Sequence, residues 1–142
     1  MLKLARLRED AISPFRATEH SSGLDLSAPD GFWLDPGETK AVPLGWACEL
    51  QPGYEAQIRS RSGLALKCGV VVLNSPGSVD ADFRGELAVI LHNHSSRTMV
   101  FKRGDRIAQL VGALVWLGRY EEVEPSELSP TERKGGLGST GA

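Results

Sequence analysis

The chain has 142 residues, 41% of them hydrophobic and 24% charged, with 16 lysines and arginines against 18 aspartates and glutamates for a net charge of −2. That is the size of one domain, with enough apolar side chain to offset the ordering entropy of a core. The charge balance excludes a protein that coats nucleic acid through bulk electrostatics, while a small anionic ligand met by a few placed arginines fits it.

The opening MLKLARLRED carries charges every few residues and lacks the apolar run of a signal peptide. The longest nearly uncharged stretch, 107–118, is too short to cross a bilayer as a helix. A soluble, cytoplasmic protein with no membrane contact is expected. Turn signals then recur along the chain: APDG at 28–31, DPGE at 35–38, QPG at 51–53, SPG at 75–77 and KRGD at 102–105. Such spacing predicts a sheet of many short strands. YEAQIRS sets Tyr54, Ala56 and Ile58 against Glu55, Gln57 and Arg59, the period of a half-buried strand.

SGLALKCG reads as one short helix, with Ser62 available near its start and Gly69 to end it. GVVVLN and ELAVILHN are rich in β-branched residues, as expected of strands buried between sheets or at a subunit contact. Between them, NSPGSVDADFRGEL at 74–87 crowds carboxylates, a ring and an arginine onto the tip of a predicted β-hairpin, where two or three small residues would turn the chain. Cys48 and Cys68 lie in no CxxC or Cys/His spacing and are expected to be buried, inert thiols. His20, His92 and His94 make no zinc pattern; His92 and His94 share a strand face, which fits a surface or interface role.

The architecture predicted for 1–128 is therefore an all-β sandwich or jelly roll. The tail 129–142 departs from it, with four glycines and few apolar side chains. Two readings stand: a frayed terminus, or a glycine-rich strand of N–H groups that converges on an anion, joined by Arg133, Ser139 and Thr140.

Five polar clusters remain to be explained: SSGLDLSA (21–28), RSRSGLALK (59–67), the segment 74–87, RGDRIAQLV (103–111) and the tail. Each alone passes for a turn or a solvated charge run. Together and in this order they resemble the motifs of the trimeric dUTPase family, over nearly the whole chain. The resemblance implies a jelly-roll homotrimer with active sites between subunits. It also implies hydrolysis of dUTP to dUMP and pyrophosphate with Mg²⁺, which keeps uracil out of DNA and supplies dUMP for thymidylate synthesis.

Residue by residue, the resemblance implies that Asp80 is the catalytic carboxylate aligning the attacking water. Asn74 and the main chain of Gly77, Ser78 and Val79 would face uracil. Phe83 stands where the family usually has tyrosine packed on the deoxyribose, and Asp82 and Arg84 are structural. Arg61, Ser62, Gly63 and Gln109 would meet the phosphates, and Asp25 would hold Mg²⁺ through water. The arm 129–142 would close over a neighbouring subunit's site through Leu137, Gly138, Ser139 and Thr140, with Arg133 or Lys134 at the γ-phosphate. Leu137 replaces the phenylalanine that many relatives stack on uracil, and the stretch from Arg133 to the double glycine is one residue shorter than usual. A dCTP deaminase, which shares the fold, carries a catalytic glutamate at the position of Ile90, and no carboxylate lies between Leu87 and Leu91. A regulator that had lost activity would lack Asp80, Ser62 or the tail motif, and all three are present.

Overall fold

Short runs of β-branched and aromatic residues cut by glycine and proline favour strands over helices. The computed structural model, which describes residues 1–132, follows that preference. Its strands are β1 (Lys3–Arg6), β2 (Gly23–Ser27), β3 (Phe32–Leu34), β4 (Thr39–Pro43), β5 (Trp46–Glu49), β6 (Tyr54–Arg59), β7 (Val70–Val72), β8 (Gly77–Val79), β9 (Ala88–Asn93), β10 (Met99–Phe101) and β11 (Arg106–Leu114). One helix, α1 (Ser62–Cys68), and a 3-10 turn at Pro125–Glu127 complete the described elements.

All pairings are antiparallel: a four-stranded sheet β2-β11-β6-β8, a three-stranded sheet β4-β9-β7, and the pairs β1-β5 and β10-β3. Alternation along β9 sends Val89, Leu91 and Asn93 inward, where they meet Leu26, Leu34, Leu44 and Ile107 in one core. Leu91 and Val89 are fully buried, and burial of each such side chain stabilises the fold by about 1.5–3 kcal/mol. Asn93 is also fully buried; its amide donates to the carbonyls of Leu34 and Arg97, and its Oδ1 accepts from the amide and hydroxyl of Ser95. That polar group is satisfied, so it costs little.

The helix ends as predicted: Gly69 takes the left-handed conformation at φ 67° and its N–H closes onto the carbonyls of Ala65 and Leu64. Its start also falls where the sequence placed it, at Ser62. Arg61 is the N-cap and makes no side-chain cap, and Ser62 is the first helical residue. Cys48 is buried, and burial pushes its thiol pKa up; Cys68 packs half-buried at the helix end, and both are free thiols.

The segment 74–87 also differs from a plain hairpin tip. β7 and β9 do pair, with Val70 opposite Asn93 and Val72 opposite Leu91. Their connection then crosses to the other sheet, where β8 pairs with β6 as its edge strand, Gly77 opposite Ile58 and Val79 opposite Ala56. Gly77 and Val79 face the core while Ser78 faces out, so one buried valine anchors the excursion. Because β8 leaves β9, a gap opens between the two sheets.

Candidate active site

That gap is a cavity of about 300 Å³. β9 and β4 supply its apolar wall through Ala88, Ile90 and Ala41, while Asn74, β8, Asp80 and Phe83 border it on the other side. β8 is an edge strand, so half of its main-chain N–H and C=O groups point away from β6 and are free to pair with a ligand. A Cβ at Gly77 would lie 2.9 Å from Nδ2 of Asn74, so the glycine is what lets the asparagine amide lie against the strand.

Phe83 is 42% exposed, and its ring stands over Gly85, where a Cβ would come within 2.6 Å of Cζ. Between Val79 and Phe83 the chain makes a tight turn, the amide of Phe83 donating to the carbonyl of Asp80 at 3.1 Å. Arg84 fastens it by donating to the carbonyls of Ala81 and Phe83 at 2.8 and 3.0 Å, and its guanidinium lies 3.8 Å from Glu49. Arg84 thus serves the turn. Asp80 is exposed at the cavity mouth, and it also borders a larger groove of about 670 Å³ on the far side of the turn, with Tyr54, Glu55 and Leu117. Of the two, the smaller cavity has the free strand edge and the asparagine amide, both donors and acceptors for a planar polar ligand.

A second group forms at the other end of the four-stranded sheet. Asp25 on β2, Gln109 on β11 and Arg59 on β6 are in register, so their side chains share a face. Asp25 is 3% exposed. Its Oδ2 accepts from Arg106 at 2.9 Å and its Oδ1 from Gln109 at 3.3 Å, with Nε of Arg61 at 3.4 Å from Oδ1. Arg61 also donates to the main-chain carbonyl of Arg106 at 2.9 Å. Ser62 and Gly63 follow at the exposed start of α1, where a Cβ on Gly63 would meet nothing within 4 Å.

One protomer does not bring the two groups together. Val79 lies opposite Ala56, which puts Asp80 level with Glu55 at the start of β6, whereas the Asp25 group sits level with Arg59 at its end. Those levels are about 13 Å apart along the strand, and Asp25 lies a further three strand spacings, about 14 Å, across the sheet.

Arg106 is the member of the second group that its sequence context hides. In GDRIAQL it reads as a solvated charge beside a turn; its partner, Asp25, is 81 residues away. His92 and His94 do share a face: their rings meet edge to face at 4.4 Å, and Nδ1 of His92 lies 2.9 Å from Oγ1 of Thr39. Among the described residues no group of three or more His, Cys, Asp or Glu is placed to hold a metal. Arg133, Lys134, Leu137, Gly138, Ser139 and Thr140 lie outside the described residues.

A family model described as dUTPase matches residues 9–141 of this chain. The deoxyuridine 5'-triphosphate nucleotidohydrolase of Hydrogenobaculum sp. is 54% identical over 142 residues, covering 99% of this chain and 97% of the relative. The protein of the same name from Nautilia profundicola is 48% identical, covering 99% and 98%. Among solved structures, a mutant dUTPase of Staphylococcus bacteriophage 80alpha with dUpNHpp superposes with a TM-score of 0.87 at 24% identity, covering 100% of this chain and 99% of the other. A mutant dUTPase from phage phi11 of S. aureus, with a coordinated structural Mg(II) ion, superposes with a TM-score of 0.83 at 24% identity over 90% and 99% of the two chains.

Proposed function

The chain belongs to the dUTPase family and hydrolyses dUTP to dUMP and pyrophosphate; we propose that it does so in sites built between protomers of a homotrimer, with Asp80 as the general base. What supports the shared site is the register of β8 on β6, which leaves Asp80 and the Arg61 group at opposite ends of one sheet. A partner's Arg61 group docked at the mouth of the 300 Å³ cavity completes the constellation, and cyclic symmetry repeats it at every interface. Leu114, Trp116, Leu117 and Tyr120, each more than two-thirds exposed in the protomer, add the apolar surface that such an assembly covers.

In this reading uracil enters the cavity edge-on to β8. Main-chain donors and acceptors of Gly77, Ser78 and Val79, with the Asn74 amide, distinguish it from cytosine, whose ring positions 3 and 4 reverse the donor and acceptor pattern. The close floor leaves no space for the methyl group of thymine. The Phe83 ring lies along the deoxyribose and excludes a 2′-hydroxyl. Asp80 accepts a proton from a water aligned on the α-phosphorus, and Arg61, Gln109 and the N–H groups at the start of α1 stabilise the charge that moves onto the leaving pyrophosphate.

A magnesium ion fits this donor set. The second group offers one carboxylate with three donors on its two oxygens, which leaves an acceptor site for a water, and no nitrogen or sulfur cluster that would favour another metal. Asp25 would hold it through that water, and the ion supplies charge neutralisation on the phosphate oxygens. Ile90 in the cavity wall has no ionisable group, so the position that a deaminase fills with its catalytic glutamate holds only an alkyl side chain here.

The chain divides, in this proposal, into the β domain 1–128 and the arm 129–142. The arm covers the occupied site of a neighbour with Leu137, Gly138, Ser139 and Thr140, and Arg133 or Lys134 meets the γ-phosphate. No helix among the described residues is long and apolar enough to cross a membrane; we place the enzyme in the cytoplasm. The test is direct: with Mg²⁺, the protein releases pyrophosphate from dUTP and leaves UTP, dCTP and dTTP almost untouched. Tight binding of dUTP without turnover would favour a regulatory protein instead.

A further inference from the structure

Asp25 is deeply buried and bonded through both oxygens, so the groups that bond it also decide where it points. Arg106 is the nearest of them, donating to Oδ2 at 2.9 Å. Strict alternation along β11 would put Arg106 on the core face with Ala108, away from Gln109. The register of β11 on β2 shifts between Arg106 and Ala108, and both Ile107 and Ala108 are buried. This irregularity, of the kind that re-aims a side chain, turns Arg106 onto the face shared by Asp25 and Gln109. Its backbone is anchored too: the amide of Lys102 donates to the Asp105 carboxylate at 2.7 Å, and Ala28 donates to the Asp105 carbonyl at 2.9 Å.

We propose that Arg106 is a positioning residue of the phosphate group: it holds one oxygen of Asp25 so that the other oxygen fixes Arg61 and Gln109. This rests on the reading above that Arg61 and Gln109 face the triphosphate. The arrangement also leaves a positive surplus, because Arg106 and Arg61 share one carboxylate, while Arg59 in the same register bonds Gln57 and, among the described residues, no acid. Arg106 is 46% exposed and Arg61 23%, so the surplus faces outward, as a polyanionic ligand requires.

The experiment is a double-mutant cycle on the assembled protein, read by calorimetric binding of the imido analogue of dUTP and of deoxyuridine, which has no phosphate. Arg106→Gln should weaken the analogue by at least about 10-fold, the scale of a lost charged hydrogen bond, and change deoxyuridine by less than about 2-fold. Arg106→Lys, which keeps the charge, should recover most of the loss. Adding Arg106→Gln to Asp25→Asn should cost less than about 2-fold more, because both changes cut one path. Multiplying losses, an equal fall for deoxyuridine, no effect of Arg106→Gln, or no rescue by lysine would each overturn the proposal. Wild-type protein that binds the analogue no better than deoxyuridine would instead refute the placement of Arg61 and Gln109 on the phosphates, and this inference with it.

Discussion

Asp80 and Arg61 stand at opposite ends of the same strand, β6: the pairing of Val79 with Ala56 sets Asp80 level with Glu55, while Arg61 follows Arg59 into α1. The two groups to which the proposed function assigns nucleoside and water on one side and phosphate on the other are therefore held apart within one chain. On the proposed function, assembly completes the site, and each half of it should have its own signature in mutants.

Asp80→Asn keeps the size of the side chain and removes its basic oxygen. Turnover should fall by at least about 10²-fold while affinity for dUTP stays near that of the wild type. Steady-state kinetics with a parallel binding measurement check this; near-normal kcat would remove Asp80 from the role of base.

Gly85→Ala tests the Phe83 ring. The new Cβ would lie 2.6 Å from its Cζ, so the ring must move, whereas the backbone of Gly85 is not in the left-handed region and accepts alanine. The ratio of kcat/KM for dUTP over UTP should drop by about 10-fold, the scale of a lost steric fit, with little change in melting temperature. An unchanged ratio would show that the ring does not police the sugar.

Ending the chain after Ser129 should remove most of the catalysis and leave the trimer and its melting temperature intact. Sedimentation and activity measured together decide the point; dissociation on truncation would make the arm an oligomerisation element.

Stability at low pH follows from Arg8. Its hydrogen bonds to Asp30 and Asp10 hold both carboxyls below their ordinary pKa, and raise its own. A carboxyl depressed in the folded state stabilises the fold above its unfolded value, near pH 4, and that contribution is lost as pH falls through the depressed value. Both carboxylates are solvent-exposed and Arg8 is partly so, which keeps the effect small and screened by salt. The gap in melting temperature between wild type and Arg8→Met should be widest near neutrality, close below about pH 4 and shrink in about 1 M salt. A gap that widens in acid would contradict the assignment.

Much of this was legible in the residues. Alternation placed Ala56 and Ile58 in the core, Gly69 ended the helix, and the order of the polar clusters pointed to the family that the comparisons then showed. The illegible part was pairing over distance. Nothing local in GSV says that it joins β6 in another sheet, because edge pairing depends on partners such as Ala56 for Val79 and Ile58 for Gly77, distant in sequence. Arg106 was hidden for the same reason, its role set by a register shift and by a carboxylate on β2. Tyr54, at the start of its strand, lies 37% exposed although the alternation groups it with the core face, since the strand's first residue borders the groove beside Asp80.

The shared site is tested most directly by mixing two inactive proteins. Asp80→Asn and Arg61→Ala each disable one half of the constellation, and equal amounts, unfolded and reassembled together, distribute at random among trimers. If Asp80 of one protomer works with Arg61 of the next, about one site in four regains both groups, and activity returns to roughly a quarter of the wild-type value. If each protomer holds a complete site, the mixture stays as inactive as its components.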